Sequence, residues 1–307
     1  MKELYKKHRP KDFNEVVGQE SAAKTLSSLI SKDKIPHALL FTGPSGCGKT
    51  TLIRILAKKL KCSKMDYFER NCADFKGIDT IRDIRGSMMT APLKGRCKIY
   101  AIDEAHKLTN DAQNAFLKIL EDTPSHIYFM LATTDPQKLL KTVRTRCTEI
   151  TLKAIPDKEI GRLLDEVAKK EETPISSELK NKIINASEGS ARKALVLLHQ
   201  VMGIDEDDKR IEAVSSSVAE TQAIQIARTL FKPKVSWKEM AEVIKGVENE
   251  DAEQIRWMVL GYAKAILLNG GPLAPKAFQV IENFRDNWYD CKFAGLAAGC
   301  YAIVVGE

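Results

Sequence analysis

Along the first half of the chain, short unbroken apolar runs alternate with stretches whose apolar positions recur every three to four residues. "HALLFTG", residues 37–43, is an apolar run closed by glycine, the pattern of a buried strand. "GKTTLIRILAKKL" follows it with the periodicity of an amphipathic helix. "KIYAID" at 98–103 reads as a second strand and "HIYFMLATT" at 126–134 as a third. Between them Thr109 stands where a helix cap belongs, ahead of a stripe formed by Ala112, Ala115, Phe116, Ile119 and Leu120 at i, i+3, i+4, i+7 and i+8. A β-like "TEITL" run follows at 148–152. Strands separated by helices predict an α/β core with a parallel sheet.

Beyond Ile155 and Pro156 the pattern becomes helical. "PDKEIGRLLDEVAKKEE", "SSELKNKIINASEG" and "SARKALVLLHQVMG" come first, and the acidic run "GIDEDDKR" reads as a loop that ends this group. "SWKEMAEVIKG", "AEQIRWMVLGYAKAILL" and "FAGLAAGCYAIVV" are further helical runs. Three domains are expected: 1–155, 156–208 and 209–307. A chain of 307 residues, 44% hydrophobic, is long enough for several cores.

Composition excludes more than it identifies. No apolar run approaches the roughly 18 to 20 residues of a membrane span, and "MKELYKKHRPKDF" lacks the apolar stretch of a signal peptide, so a cytoplasmic protein is expected. Seven cysteines, with no C-x-x-C pair, read as small buried hydrophobes. The net charge of +7 leans weakly toward a polyanionic partner.

The sharpest chemistry lies between the first strand and its helix. Gly43, Pro44, Ser45, Gly46, Cys47, Gly48, Lys49 and Thr50 satisfy G-x-x-x-x-G-K-[ST], with Thr51 next. Backbone N–H groups wrap phosphates only where side chains do not obstruct them, and glycine gives that access. Lys49 is expected to reach the β- and γ-phosphates of ATP, and Thr50 to offer its hydroxyl to Mg²⁺. The second strand ends in Asp103 and Glu104: the first suits the metal, the second an attacking water. Thr133, Thr134 and Asp135 close the third strand, where ligands of open α/β sheets lie.

These blocks resemble the AAA+ clamp loader ATPases, which open sliding clamps for DNA polymerases. "YKKHRPKDFNEVVGQE" looks like that family's adenine-enclosing segment, "GPSGCGKTT" its Walker A, "IDEAHKLTNDAQNAFLKILEDTP" its Walker B and following helix, and "LATTDPQKL" its sensor 1. "TRC" at 145–147 looks like its Ser-Arg-Cys step, and "GSARKAL" at 189–195 its sensor 2.

The resemblance implies roles. Arg9, Pro10 and Val17 would lie near adenine, Thr134 would sense the γ-phosphate, and Arg192 would be the sensor 2 arginine. Arg146 would be an arginine finger acting in trans on a neighbour's nucleotide, with Arg144 off the motif's register. Lys76, Thr80, Arg82 and Lys107 would face DNA. The architecture implied is an AAA+ core, a helical lid and an α-helical collar. The implied partners are other loader subunits in a pentameric homo- or hetero-oligomer, a sliding clamp and primer-template DNA.

The bacterial γ/τ type is the nearest likeness, with two departures. Its zinc module has four cysteines between the phosphate loop and the next strand, whereas "KCSKMDYFERNCADFKG" at 61–77 offers only Cys62 and Cys72, so no zinc is expected and this stretch is more similar to the compact small subunits of archaeal, eukaryotic and phage loaders. The sequence ends at Glu307, and no long τ tail is expected. Two rivals stand beside the loader: a Holliday-junction branch-migration motor, expected to lack the Thr-Arg-Cys step, and a non-hydrolysing loader subunit, in which a degraded phosphate loop would be tolerated.

Overall fold

The computed structural model describes residues 3–72, 77–248 and 250–306, apart from the side chains of 78, 80 and 216–220. Five parallel strands form one sheet: β1 (Ala38–Thr42), β2 (Tyr67–Asn71), β3 (Lys98–Asp103), β4 (Ile127–Thr133) and β5 (Thr148–Thr151), in the order β2-β3-β4-β1-β5. β2 is an edge strand that the apolar pattern does not predict, so "KIYAID" is the third strand rather than the second. The reason is its sequence: "YFERN" is nowhere fully buried, and a half-wet edge needs no apolar run.

β1 lies between β4 and β5, and all five of its residues are buried. Its side chains alternate between two layers. Leu39 and Phe41 join Ile99, Ala101, Met130 and Ala132 on one face. Leu40 joins Tyr100, Ile102, Phe129 and Leu131 on the other.

Helices cover both layers. The N-terminal turn α1 (Leu4–Lys7) precedes α2 (Glu20–Ser31) and α3 (Lys49–Lys59), and Leu26, Leu52, Ile53 and Leu56 of the latter two pack on the first face. α4 (Ile78–Met88) and α5 (Asn110–Glu121) bring Ile81, Ile84, Ala112, Phe116 and Ile119 to the second. Thr109 caps α5, its side chain accepting from the Ala112 N–H. The short α6 (Lys141–Arg144) leads into β5. Thr42 of β1 is level with Thr133 of β4, and Asn71 of β2 with Asp103 of β3, so the strands end on one rim.

α7 (Asp157–Lys170), α8 (Ser177–Ser187) and α9 (Ala191–Val201) follow within the same unit, which runs to Gly203. A second unit, Ile204 onward, holds α10 (Asp207–Leu230), α11 (Trp237–Lys245), α12 (Ala252–Asn269), α13 (Ala274–Phe284) and α14 (Lys292–Val305). The acidic run is therefore not all loop. α10 begins inside it, because Asp207 and Asp208 in a first turn are favoured by the positive end of the helix. Ile226, Leu230, Met240, Ile255, Val259, Phe284 and Leu296 form the core of this second unit. No helix among the described residues is long and apolar enough to cross a membrane.

Candidate nucleotide site

The loop after β1 leaves the sheet between two glycine constraints. Gly43, Gly46 and Gly48 have φ of 142°, 74° and 110°. A Cβ on Gly46 would lie 2.0 Å from the Ser190 hydroxyl, and one on Gly43 would lie 2.4 Å from the Leu152 carbonyl oxygen. Glycine is required for the backbone conformation and for the close approach alike. Gly48 is the N-cap of α3 and no side chain caps that terminus, so its first-turn N–H groups suit a phosphate.

Lys49 is buried, yet its ammonium is not stranded. Nζ donates to the carbonyls of Gly43 at 2.7 Å and Pro44 at 2.8 Å. Burial pushes its pKa below the ordinary lysine value, against the opposing pull of Asp103 and Glu104. Both carbonyls belong to the loop, so Lys49 braces the curve it is meant to serve.

Thr50 Oγ1 donates to Asp103 Oδ2 at 2.9 Å, which joins the start of α3 to the end of β3. The other Asp103 oxygen accepts the Glu104 N–H at 2.9 Å. Glu104 itself sits in the left-handed region, at φ 52° and ψ 40°, where a side chain is uncommon and function often explains it. His106 follows in a one-turn 3-10 helix. Its Nε2 is 3.4 Å from a Glu104 carboxylate oxygen and its Nδ1 is 3.0 Å from Thr133 Oγ1.

A pocket unites the loop with the N-terminal segment and α9. Arg9, Pro10, Val17, Ser45, Gly46, Cys47, Gly48, Lys49, Thr50, Thr51, Asp103, Glu104 and Arg192 all line it. Gly43 and Pro44 do not, and enter through the carbonyls that hold Lys49. Ser190 caps α9 by accepting from the Lys193 N–H, and Arg192 lies over the Tyr5 ring at 5.8 Å. Burial raises the Cys47 thiol pKa, which keeps it a neutral, apolar part of the lining.

The remaining predicted residues lie elsewhere or outside description. Thr134 is exposed one residue past the end of β4, while Thr133 is fully buried. Arg146 does not line the pocket: its guanidinium holds Glu121 at 2.5 Å and donates to the Thr142 carbonyl at 3.1 Å. Lys107 is exposed, and Arg82 is exposed and pairs with Asp79. Lys76 lies outside the described residues, as does the side chain of Thr80.

Sequence reasoning missed Tyr5 and His8 on the pocket wall, and His106 beside the wall residue Glu104. His8 also meets Glu171 at the end of α7. The signal available was one letter, the histidine of "DEAH", and it names no partner.

An open loop of backbone donors beside a lysine fits a nucleoside triphosphate. A hydroxyl and a carboxylate 2.9 Å apart are the hard oxygen donors that Mg²⁺ takes. Fold and site together make this a protein with the AAA+ fold and a P-loop nucleotide site.

Comparisons carry the likeness further. A family model described as DNA polymerase III, delta subunit, matches residues 18–80 and 73–156. The chain is 35% identical over 222 residues to DNA polymerase III subunit gamma/tau of Mycobacterium tuberculosis H37Rv, covering 65% of this chain and 38% of that protein. It is 33% identical over 282 residues to DNA polymerase III subunit tau of Escherichia coli K12, covering 84% and 43% respectively. It thus spans less than half the length of these relatives. In fold it resembles the RuvB Holliday junction branch migration motor of Thermotoga maritima, with a TM-score of 0.59 over 77% of this chain and 85% of that one, at 21% identity. By sequence, the chain resembles the gamma and tau subunits of bacterial DNA polymerase III.

Proposed function

We propose that this chain is an ATP-hydrolysing subunit of a DNA sliding-clamp loader. The observation that carries it is the Thr50–Asp103 hydrogen bond beside the buried Lys49, in a chain whose relatives are γ and τ subunits. A phosphate loop and a strand-end acid already joined at 2.9 Å need little rearrangement to share one ion.

In this reading Arg9, Pro10 and Val17 enclose the adenine. Lys49 exchanges its two loop carbonyls for oxygens of the β- and γ-phosphates, a swap made easier because its charge is already desolvated. Thr50 and Asp103 hold Mg²⁺, which when bound supplies charge neutralisation at the phosphates. Glu104 polarises the attacking water, Thr134 faces the γ-phosphate, and Arg192 brings the lid, 156–208, to the nucleotide. Arg146 serves the site of a neighbouring subunit, because a fixed guanidinium stabilises charge on the transferring group. The collar, 209–307, would hold the subunits in a pentameric spiral. No zinc enters this reading.

ATP binding then selects the assembly that opens the clamp and grips primer-template DNA, and hydrolysis removes that bias. Lys76, Thr80, Arg82 and Lys107 are the proposed DNA contacts, acting on phosphates without a sequence code.

The test is ATP turnover by the purified assembly with and without a cognate clamp and primed DNA. Stimulation by both is expected. Turnover driven by four-way junctions, with no response to clamp or primed DNA, would overturn the loader reading in favour of a branch-migration motor.

A further inference from the structure

We propose that His106 is a positioning residue for Glu104, fixing its carboxylate through one imidazole whose other nitrogen is set by the Thr133 hydroxyl. This rests on the reading of Glu104 as the residue that polarises water.

Three polar groups stand in line at the rim of the sheet. Thr133 Oγ1 is 3.0 Å from His106 Nδ1, and His106 Nε2 is 3.4 Å from Glu104 Oε2. Thr133 is fully buried, and the His106 and Glu104 side chains are 11% and 30% exposed. Among the described residues, the His106 imidazole is the one basic ring within 4 Å of the Glu104 carboxylate.

Proton accounting gives the line a direction. Thr133 Oγ1 already accepts the Asp135 N–H at 3.1 Å, so its own proton is free to be donated to Nδ1. Nδ1 then carries a lone pair, and the ring proton falls on Nε2, facing an acceptor-only carboxylate. The opposite tautomer would aim a lone pair at that carboxylate and ask Thr133 Oγ1 to accept twice.

His106 is itself held, because the Lys107 and Leu108 N–H groups close the turn onto the Glu104 and Ala105 carbonyls at 2.8 and 3.1 Å. Glu104 and His106 therefore share one rigid turn, while Thr133 belongs to β4. A displacement at the end of β4, one residue from Thr134, reaches Glu104 through a single ring. At 3.4 Å the contact is longer than a hydrogen bond, and closing it is the task the proposal gives to a bound nucleotide.

Two measurements test this in the full chain and its assembly. His106→Ala is expected to lower kcat by about 10- to 100-fold, with fluorescent-ATP affinity and melting temperature essentially unchanged. His106→Gln, whose amide N–H falls near Nε2, should restore turnover to within about threefold, whereas His106→Asn, which falls near Nδ1, should not. Thr133→Val should copy the loss and Thr133→Ser should not. Equal rates for the Gln and Asn variants, or a loss expressed in ATP affinity instead of kcat, would overturn the proposal.

The second measurement needs no turnover. Imidazole ¹⁵N shifts near pH 8, with His106 assigned by its variant among the five histidines, should show the Nε2–H tautomer and lose it in Thr133→Val. An Nδ1–H ring would sink the positioning role. Absence of hydrolysis by the unmodified assembly, with the tautomer as described, would count against the ATPase reading instead.

Discussion

Arg146 and Glu121 form an ion pair at 2.5 Å that ties the second residue past α6 to the last residue of α5, on a surface the chain's own nucleotide pocket does not include. Both side chains are well exposed, at 38% and 52%. Such a pair contributes roughly 0–1 kcal/mol, so Glu121→Ala should move the melting temperature by no more than about 3 °C. Arg146→Ala should leave ATP binding intact and stop hydrolysis at the adjoining site when mixed with unmodified subunits. Full turnover by an isolated monomer would rule out the trans role.

Gly46→Ala should fail at the nucleotide. The added methyl meets the Ser190 hydroxyl at 2.0 Å, and φ of 74° is unfavourable for alanine. ATP affinity should fall at least about tenfold while the far-UV spectrum stays native. Retention of wild-type affinity would mean that the loop and the start of α9 separate when ATP binds.

Asp66 supplies an acid-sensitive element away from the site. It is fully buried and receives hydrogen bonds from Ser63 Oγ at 2.5 Å and from the N–H groups of Leu93, Lys94 and Gly95 at 2.7, 3.1 and 2.9 Å. Burial alone would raise its pKa, and these donors outweigh it, holding the carboxyl well below the usual range. The folded value lies below the unfolded one of about 3.9, so its stabilisation is complete above about pH 5 and is lost as pH falls further. Asp66→Asn should cost about 2 kcal/mol at neutral pH and flatten the decline of melting temperature between pH 5 and 3. An unchanged acid slope would assign that sensitivity to other carboxylates.

In the second unit Arg256 is almost fully buried, bonded to Glu253 and to the Phe284 and Arg285 carbonyls at 2.8 and 3.1 Å. Glu253 also accepts the Trp288 N–H at 2.9 Å. Arg256→Ala leaves a buried carboxylate unpaired and should cost about 3–5 kcal/mol. Hydrogen exchange should show the loss in residues 204–306, with the phosphate loop protected as before. Uniform loss across both units would show that they melt as one.

What the sequence disclosed follows from which contacts are local. The phosphate loop, the Thr109 cap and the stripe through Phe116 are written in adjacent residues, and so were legible. β2 was not, because an edge strand needs no apolar run. Nor was the Gln113 side chain, fully buried in α5, where it accepts the Leu140 N–H at 2.7 Å and donates to the Leu108 carbonyl at 3.0 Å. His106 was illegible for the same reason: its partner Thr133 is 27 residues away, brought near by sheet order alone.

The contact between Gly46 and Ser190 has a mechanical meaning. Ser190 caps α9, an 11-residue rod about 16 Å long at 1.5 Å per residue. A tilt of about 10° at the loop would sweep its far end, Val201, through about 3 Å, so a small change of spacing at Gly46 would be magnified at a helix end that lines no part of the nucleotide pocket.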